Sequence, residues 1–384
     1  MLTAHELEQR LLAFAREKLA DRRIAPSITV ETRLFEDRVI DSLKILELIA
    51  FLQTTLDRKI PDSQIVLANF QSIATIARVF TGIQSITERR AVRRARGRPV
   101  DRQTARGVTA TGSPIDEMMA RRELELTWEG SLTMRGAAAG LCALFDMTVC
   151  AWAGELGASG VVFPDDIPLS ALDRAGFTSA FPDKLVRNGE AARPPAVCYH
   201  HYPTLSDCTV DASGWIVTAL GRCYRNEFDE RSAHAAERLR EFTMREIITV
   251  GTPQVVESVR RNLMARVDAW MKELRLDGNI EVASDPFFTR ESRGRLLMQQ
   301  LLPLKYELRL RMDKTGRTVA AASFNNHHDH FGKAFRIGLP GEESAHTGCV
   351  AFGWERWVIA FVSQHGADPR NWPVTVRKDV AATA

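Results

Sequence analysis

The chain has 384 residues, 45% of them hydrophobic and 26% charged, which is long and apolar enough for two or three domains with substantial cores and excludes a disordered or fibrous protein. Its 51 basic and 48 acidic side chains leave a formal net charge of +3, so the overall balance does not favour binding to nucleic acid or to a membrane surface. The N-terminal segment mixes charges and no stretch reaches the roughly 18 apolar residues of a membrane span, so we expect a soluble, cytoplasmic protein.

The first 82 residues predict a small helical domain. Apolar side chains recur at helical spacing in residues 2–20 and 42–57, and SIATIARVF (72–80) predicts a further short helix. The stretch DSL (41–43) stands at the start of the second run, which holds Ser42 outward at a helix start with Asp41 as a cap. Taken alone, this pattern fits an ordinary N-cap.

In its context, the DSL stretch points to a prosthetic group. LFEDRVIDSLKILELIAFLQ followed by FQSIATIARVF resembles the acyl and peptidyl carrier proteins, and the resemblance covers residues 1–82. It implies a four-helix bundle in which a phosphopantetheinyl transferase attaches 4′-phosphopantetheine to Ser42, while Leu43 helps to form the surface that partners recognise. Typical carrier domains are acidic, whereas residues 1–85 here are nearly charge-balanced.

Helical periodicity stops in the next segment. Residues 88–114 contain eight arginines and three glycines, together with several serines and threonines. This composition favours a flexible, charge-extended linker, which we place at residues 83–115. An RNA-binding arginine run is the alternative, although no aromatic side chains are interleaved with it.

The remaining residues, 116–384, predict an α+β domain. Helical stretches such as RGAAAGLCALFDMTVCAWAGEL alternate with strand-like ones such as GWIVTALGRCYR, REIITVG and RTVAAASF. The sequence GRCYRNEFDERSAHAAERLREFTMREI (221–247) places Arg225 and Glu227 on one face of a predicted strand. Arg238, Arg240 and Phe242 fall on the returning strand. Guanidinium groups suit phosphate oxygens and an aromatic ring can stack on a base, but a cross-strand ion pair explains Arg225 and Glu227 equally well.

A second candidate stretch is HTGCVAFGWERWVIAFVSQHG (346–366). Small residues precede Gly353, and Arg356 stands at the start of an apolar helical run, where it can point at a phosphate. YRNEF with its loop, and GWER, resemble the second and third motifs of the class II aminoacyl-tRNA synthetases across about residues 116–366. A weaker first motif, GVVFPDDIPLSALDRAGF (160–177), is the element that builds the dimer in that family.

The synthetase resemblance implies a mixed, largely antiparallel sheet and a role for each matching residue. Arg225 binds the α-phosphate of ATP, Glu227 the adenine amino group, Phe242 the adenine ring and Arg356 the γ-phosphate, with Arg238 or Arg240 at the outer phosphates. The third motif departs from the family pattern, because Cys349 and Ala351 stand where glycines are usual.

Cys349 is one of three residues predicted to hold a metal ion. Six scattered cysteines without a C-x-x-C pair argue against a disulfide framework and against a closed, finger-type zinc site. Threonyl and atypical archaeal seryl enzymes hold zinc at three positions that here are Cys198, Glu246 and Cys349. Two thiolates and a carboxylate would leave the fourth zinc position for the α-amino group of an amino acid. Buried apolar cysteines with an ion-paired glutamate are the alternative, and Cys208 and Cys223 are rival ligands.

The histidines of NNHHDHFGK (325–333) are interpreted as pocket or surface residues, because strand alternation separates His327 from His328. The same region leaves magnesium without an obvious acidic ligand. Val319 and Ala320 stand where the synthetase family places one, so we expect either a shifted register or water and Asn325 in its place.

The combination of a carrier domain and a synthetase-like core predicts the function. Few residues follow Arg356, which leaves no room for an anticodon-binding domain. The chain resembles the amino acid:[carrier protein] ligases, truncated homologues of the atypical seryl enzymes. This implies a homodimer that adenylates glycine or alanine with ATP and Mg²⁺ and loads a phosphopantetheine thiol in cis or in trans. The alternatives are an aminoacyl-tRNA synthetase, which only the arginine run supports, and a catalytically silent scaffold.

Overall fold

The computed structural model divides into two compact units; the described residues up to Gly82 belong to one, and those of 113–283 and 304–383 belong to the other. It describes residues 3–19, 25–34, 39–40, 44–58, 60, 64, 67–82, 113–127, 129–228, 237–283, 304–341 and 344–383. Ser42 and most of the predicted linker therefore lie outside the described residues.

The N-terminal unit is helical where the apolar spacing predicts helices. Its first helix begins with a capping box, in which Glu6 N–H donates to Thr3 Oγ1 at 3.3 Å and Thr3 N–H donates to Glu6 Oε2 at 2.7 Å. The helices are α1 (Ala4–Phe14), α2 (Lys44–Leu56), α3 (Leu67–Phe70) and α4 (Ile73–Gly82), with a π-helical turn at Ala15–Leu19 and a 3-10 turn at Ala25–Ser27. The core of the unit consists of fully buried apolar side chains, among them Leu7, Leu11, Leu48, Leu52, Phe70, Ile76 and Phe80.

The second unit is built around a seven-stranded sheet, which confirms the α+β prediction. The strand order is β3-β7-β8-β12-β11-β10-β9, and every neighbouring pair is antiparallel except β3 with β7. The strands are β3 (Ser159–Gly160), β7 (Trp215–Tyr224), β8 (Glu241–Gly251), β9 (Gly278–Val282), β10 (Lys305–Arg311), β11 (Thr318–His328) and β12 (His346–Gly353). Five short strands form two small sheets. One pairs β1 (Leu124–Leu126) with β2 (Leu132–Met134), and the other has the strand order β4 (Ile167–Pro168), β6 (Ala191–Ala192), β5 (Arg187–Asn188).

Long helices cover one face of the large sheet. The helices of this unit are α5 (Pro114–Ala120), α6 (Gly136–Glu155), α7 (Leu169–Arg174), α8 (Phe177–Ala180), α9 (Cys198–Thr204), α10 (Pro253–Glu273), α11 (His330–Phe335), α12 (Trp354–His365) and α13 (Val374–Thr383). Phe145, Trp270 and Trp357, from three of these helices, meet with ring centroids 4.7–5.7 Å apart. They bury Ile247 and Val350 of the sheet in one apolar core, so the next residues along those strands face the opposite side.

Helix α6 corrects one expectation from the sequence. Its 20 residues are long and apolar enough to cross a membrane by length and composition, although no such stretch was expected. Leu141 and Phe145 are fully buried in the core of the unit. The Asp146 carboxylate accepts two hydrogen bonds from the Arg245 guanidinium, at 2.6 and 2.8 Å. The apolar composition of α6 is therefore explained by packing against the sheet.

Candidate functional site

Two thiols and one carboxylate meet on the sheet face opposite the long helices. Cys198 lies at the start of α9, Glu246 on β8 and Cys349 on β12, and their sulfur and oxygen atoms all lie within 4.8 Å of one another. Their exposed fractions are 4%, 0% and 5%. Glu246 lies opposite Ala351 in the β8–β12 register, two residues from Cys349, so strand alternation places both side chains on one face. The structure thus brings together the three residues that the resemblance singled out.

Backbone amides fix the Glu246 carboxylate in place. Val197 N–H donates to Oε1 and Cys198 N–H donates to Oε2, both at 3.1 Å. Each oxygen retains a further lone pair that can bind a cation. The segment that supplies Cys198 therefore also orients the carboxylate toward it.

Burial and hydrogen bonds shift the pKa values of Cys198, Glu246 and Cys349. Burial raises the pKa of Glu246, and the hydrogen bond to Cys349 together with burial raises the pKa of Cys198 well above its usual range. The Cys198 hydrogen bond favours the Cys349 thiolate, but burial and the Glu246 charge outweigh it and raise the pKa of Cys349 as well. Without a cation, all three pKa shifts are toward the neutral forms. A divalent cation would stabilise the ionised forms, and two sulfurs with one oxygen in an open site suit zinc.

The residues predicted to bind ATP lie beyond the ends of two strands. Strand β7 ends at Tyr224, Arg225 N–H donates to the Arg240 carbonyl at 2.8 Å, and the chain then turns as Glu227 N–H donates to the Arg225 carbonyl. The prediction that Arg225 and Glu227 share one face of a strand is therefore wrong. Arg238 and Arg240 precede β8 instead of lying on it, whereas Phe242 is a β8 residue as predicted.

These side chains nevertheless cluster. Burial opposes ionisation of Glu227, but its ion pair with Lys184 at 2.5 Å and the charge of Arg225 hold the pKa of the carboxylate below its usual value. The Arg225 guanidinium lies over the Phe242 ring at 5.2 Å, and its Nε donates to the Pro195 carbonyl at 3.1 Å. Arg225 is held in position by these two contacts.

Arg356 joins the same positive cluster from the first turn of α12. Its Nε donates to the Glu237 carbonyl and its Nη1 to the Ala320 carbonyl, both at 3.0 Å. Burial and the charges of Arg225 and Arg238 lower the pKa of Arg356. Several guanidinium groups this close favour an anionic ligand, and phosphate matches their geometry.

A buried acid that the sequence did not single out lies on β10. Glu307 on β10 is 8% exposed, lies opposite Ser323 in the β10–β11 register and is paired with Lys305 at 2.6 Å. The register Glu307–Ser323–Ala351–Glu246 runs across four neighbouring strands, so Glu307 lies on the same face of the sheet as Glu246. The Glu307 charge also acts on Arg356. Val319 and Ala320, where the sequence offered no acid, lie on β11, whereas Glu307 lies on the neighbouring strand β10.

The chain is similar in sequence to two carrier-protein ligases. No family model matches the chain. Amino acid--[acyl-carrier-protein] ligase 2 of Bradyrhizobium diazoefficiens is 36% identical over 224 residues, which are 58% of this chain and 64% of that protein. Amino acid--[acyl-carrier-protein] ligase 1 of the same organism is 31% identical over 253 residues, and the match covers 58% of this chain and 76% of that protein.

A solved structure supports the fold. The crystal structure of M. kandleri SerRS in complex with A. aeolicus tRNASec superimposes with a TM-score of 0.61 at 20% identity, and the match covers 80% of this chain and 68% of that one. The prediction of a class II synthetase-like sheet is confirmed at the level of the fold.

Proposed function

The chain belongs to the amino acid--[acyl-carrier-protein] ligase family, and we propose that it activates glycine or alanine with ATP and transfers the aminoacyl group to the phosphopantetheine thiol of a carrier protein. One observation carries the proposal. The segment 195–198 contacts both halves of the site, since Pro195 accepts from Arg225 while Val197 and Cys198 donate to Glu246. An amino acid whose amine lies at the metal group therefore has its carboxylate directed toward the arginine that holds ATP.

The chemistry needs positioning and charge stabilisation. An oxygen of the amino acid carboxylate attacks the α-phosphorus of ATP, pyrophosphate leaves, and the mixed anhydride is the aminoacyl adenylate. Arg225 would stabilise the charge that develops on the α-phosphate, and Arg356 would hold the outer phosphates. Phosphopantetheine carried on Ser42 would supply the thiol that accepts the aminoacyl group from the adenylate, with AMP as the leaving group.

Two metal ions would take part, each with its own ligands. Zinc held by Cys198, Glu246 and Cys349 would supply a Lewis-acid position for the neutral amine. Magnesium would accompany the phosphates of ATP, and Glu307, buried on the same sheet face as Glu246, is the carboxylate proposed to bind it.

The receiving thiol is proposed to belong to the same chain. The helices of residues 1–82 and the DSL stretch with Ser42 support a carrier domain, which a phosphopantetheinyl transferase would convert to its active form. A linker of about 30 residues has a root-mean-square span on the order of 30 Å, so it would keep the arm at high local concentration near an active site of its own or the partner subunit. We also propose a homodimer located in the cytoplasm.

Intact-mass spectrometry tests the proposal in one experiment. The full chain is first treated with a phosphopantetheinyl transferase, then with ATP, Mg²⁺ and a mixture of amino acids. We expect one phosphopantetheine adduct and then the added mass of a glycyl or alanyl group, at a peptide that contains Ser42. An arm that gains no mass contradicts loading in cis, and a separate carrier added to the Ser42→Ala chain tests loading in trans. Charging of added tRNA instead would favour the synthetase alternative.

A further inference from the structure

Two side-chain nitrogens from β11 flank the sulfur of Cys349. Asn325 Nδ2 lies 3.4 Å from Cys349 Sγ, and His327 Nε2 lies 3.8 Å from the same atom. Asn325 is the register partner of Cys349 across the β11–β12 pair, and His327 follows two residues later on the same strand. Both side chains are buried, with exposed fractions of 5% and 2%. Neither contact is part of the metal group itself.

Two hydroxyl groups contact the other ring nitrogen of His327. The Tyr202 hydroxyl lies 3.2 Å from His327 Nδ1, and Thr347 Oγ1 lies 3.3 Å from it. Hydroxyl groups that donate to Nδ1 leave the proton on Nε2, which faces Cys349. The Phe331 ring packs edge-on against the imidazole at 4.9 Å and holds its plane.

The Asn325 amide is also held with its nitrogen toward Cys349. Its Nδ2 also donates to Ser323 Oγ at 3.1 Å, so the amide nitrogen is directed at both a hydroxyl oxygen and the Cys349 sulfur. Within the described part of the chain, the buried Oδ1 has no hydrogen-bond partner. The contacts of this side chain are therefore made by its N–H groups.

We propose that Asn325 and His327 are positioning residues that stabilise the thiolate form of Cys349 and fix the direction in which its sulfur faces a bound cation. A thiol carries a single hydrogen and offers it to one acceptor, whereas two N–H groups directed at one sulfur match a thiolate that accepts from both. Such second-layer hydrogen bonds orient a ligand and tune its binding to the metal. The inference rests on the proposed metal site, but it concerns metal binding and not the transfer reaction.

Cobalt spectroscopy of the full chain tests this arrangement. Co²⁺ is loaded in place of zinc, the thiolate-to-cobalt charge-transfer band is recorded, and zinc affinity is measured by competition with a chromophoric chelator. Asn325→Ala and His327→Phe each remove one N–H donor, which raises the electron density on sulfur. We therefore expect the band to move to lower energy. Loss of the donor also favours the protonated thiol over the thiolate and removes an orienting contact, so zinc binding should weaken by about 10- to 100-fold. His327→Gln keeps an N–H group near the Nε2 position and should restore most of both properties.

Asn326→Ala is the matched control, because Asn326 neighbours Asn325 but its Nδ2 contacts Glu257 at 3.4 Å. This variant should leave the band and the affinity unchanged. If His327→Phe does not fold, as judged by its thermal unfolding without metal, Asn325→Ala decides alone. An unchanged band and affinity in a folded Asn325→Ala protein overturns the inference, and so does a wild-type chain that binds neither metal. A wild-type chain that binds cobalt with the expected band but forms no thioester contradicts only the proposed function.

Discussion

Replacement of Glu246 by Gln separates the metal-binding role of the carboxylate from its role in the fold. Glu246 is fully buried, and each of its oxygens accepts one backbone N–H at 3.1 Å. Glu246→Gln keeps the size of the side chain but turns one acceptor into an NH₂ group, so one buried backbone donor loses its partner. That loss should lower the free energy of unfolding by about 1–3 kcal/mol. The charged oxygen ligand is lost as well, so zinc content should fall from one per chain to a small fraction.

A second buried carboxylate provides the control for this prediction. Glu355 is 1% exposed, and both of its oxygens lie 2.9 Å from Thr243 N–H, but it is not part of the group formed by Cys198, Glu246 and Cys349. Glu355→Gln should leave zinc content at one per chain. Metal analysis by mass spectrometry and urea unfolding with and without chelator supply both readouts. A Glu246→Gln protein that retains one zinc per chain would refute the role of this carboxylate as a ligand.

Three further outcomes are expected. Arg225→Ala should lower amino-acid-dependent pyrophosphate exchange by about two to three orders of magnitude, whereas Arg193→Ala, which removes a guanidinium 5.3 Å above Tyr224, should stay within tenfold of the wild type. Ser42→Ala should abolish thioester accumulation in intact-mass spectra and spare adenylate formation; loss of both would mean that the serine is structural. Burial lowers the pKa of His201 from 6.5 to about 4, so its contribution to stability is complete above pH 6.5 and is lost toward pH 4. His201 should contribute about 3 kcal/mol to the loss of stability that urea unfolding shows over that interval, next to other histidines whose pKa values burial lowers. His201→Gln should remove that part, and an unchanged pH dependence in that variant would contradict the assignment.

Local patterns predict the elements of this protein well and their ends less well. Apolar spacing at a helical period marks α2 and α6, and apolar strand-like runs mark β7, β8 and β11, because each element buries one face or stripe in a core. Strand alternation then failed at Arg225. The chain leaves the sheet after Tyr224 and turns, so the polar loop begins at Arg225, earlier than strand alternation predicted.

The metal group could be predicted only through the family resemblance. Cys198, Glu246 and Cys349 lie far apart in sequence, and their meeting depends on which strands are neighbours and on their register. Short-range periodicity predicts neither the strand order nor the register. The resemblance supplied them because it carries a known strand order to the matching positions of this chain.

The family resemblance did not predict the contacts around Cys349. His327 and His328 were predicted to face opposite sides, and the register shift between Asn326 and His328, with a φ of 51° at His328, separates their environments. Only His327 is fully enclosed, and it lies beside the metal group instead of at the surface. Since its partners Tyr202 and Thr347 come from α9 and β12, the role of this imidazole depends on three elements packing together. A positioning role for His327 therefore follows from the packed structure and not from the sequence. Its test must measure the state of the Cys349 thiolate as well as the reaction.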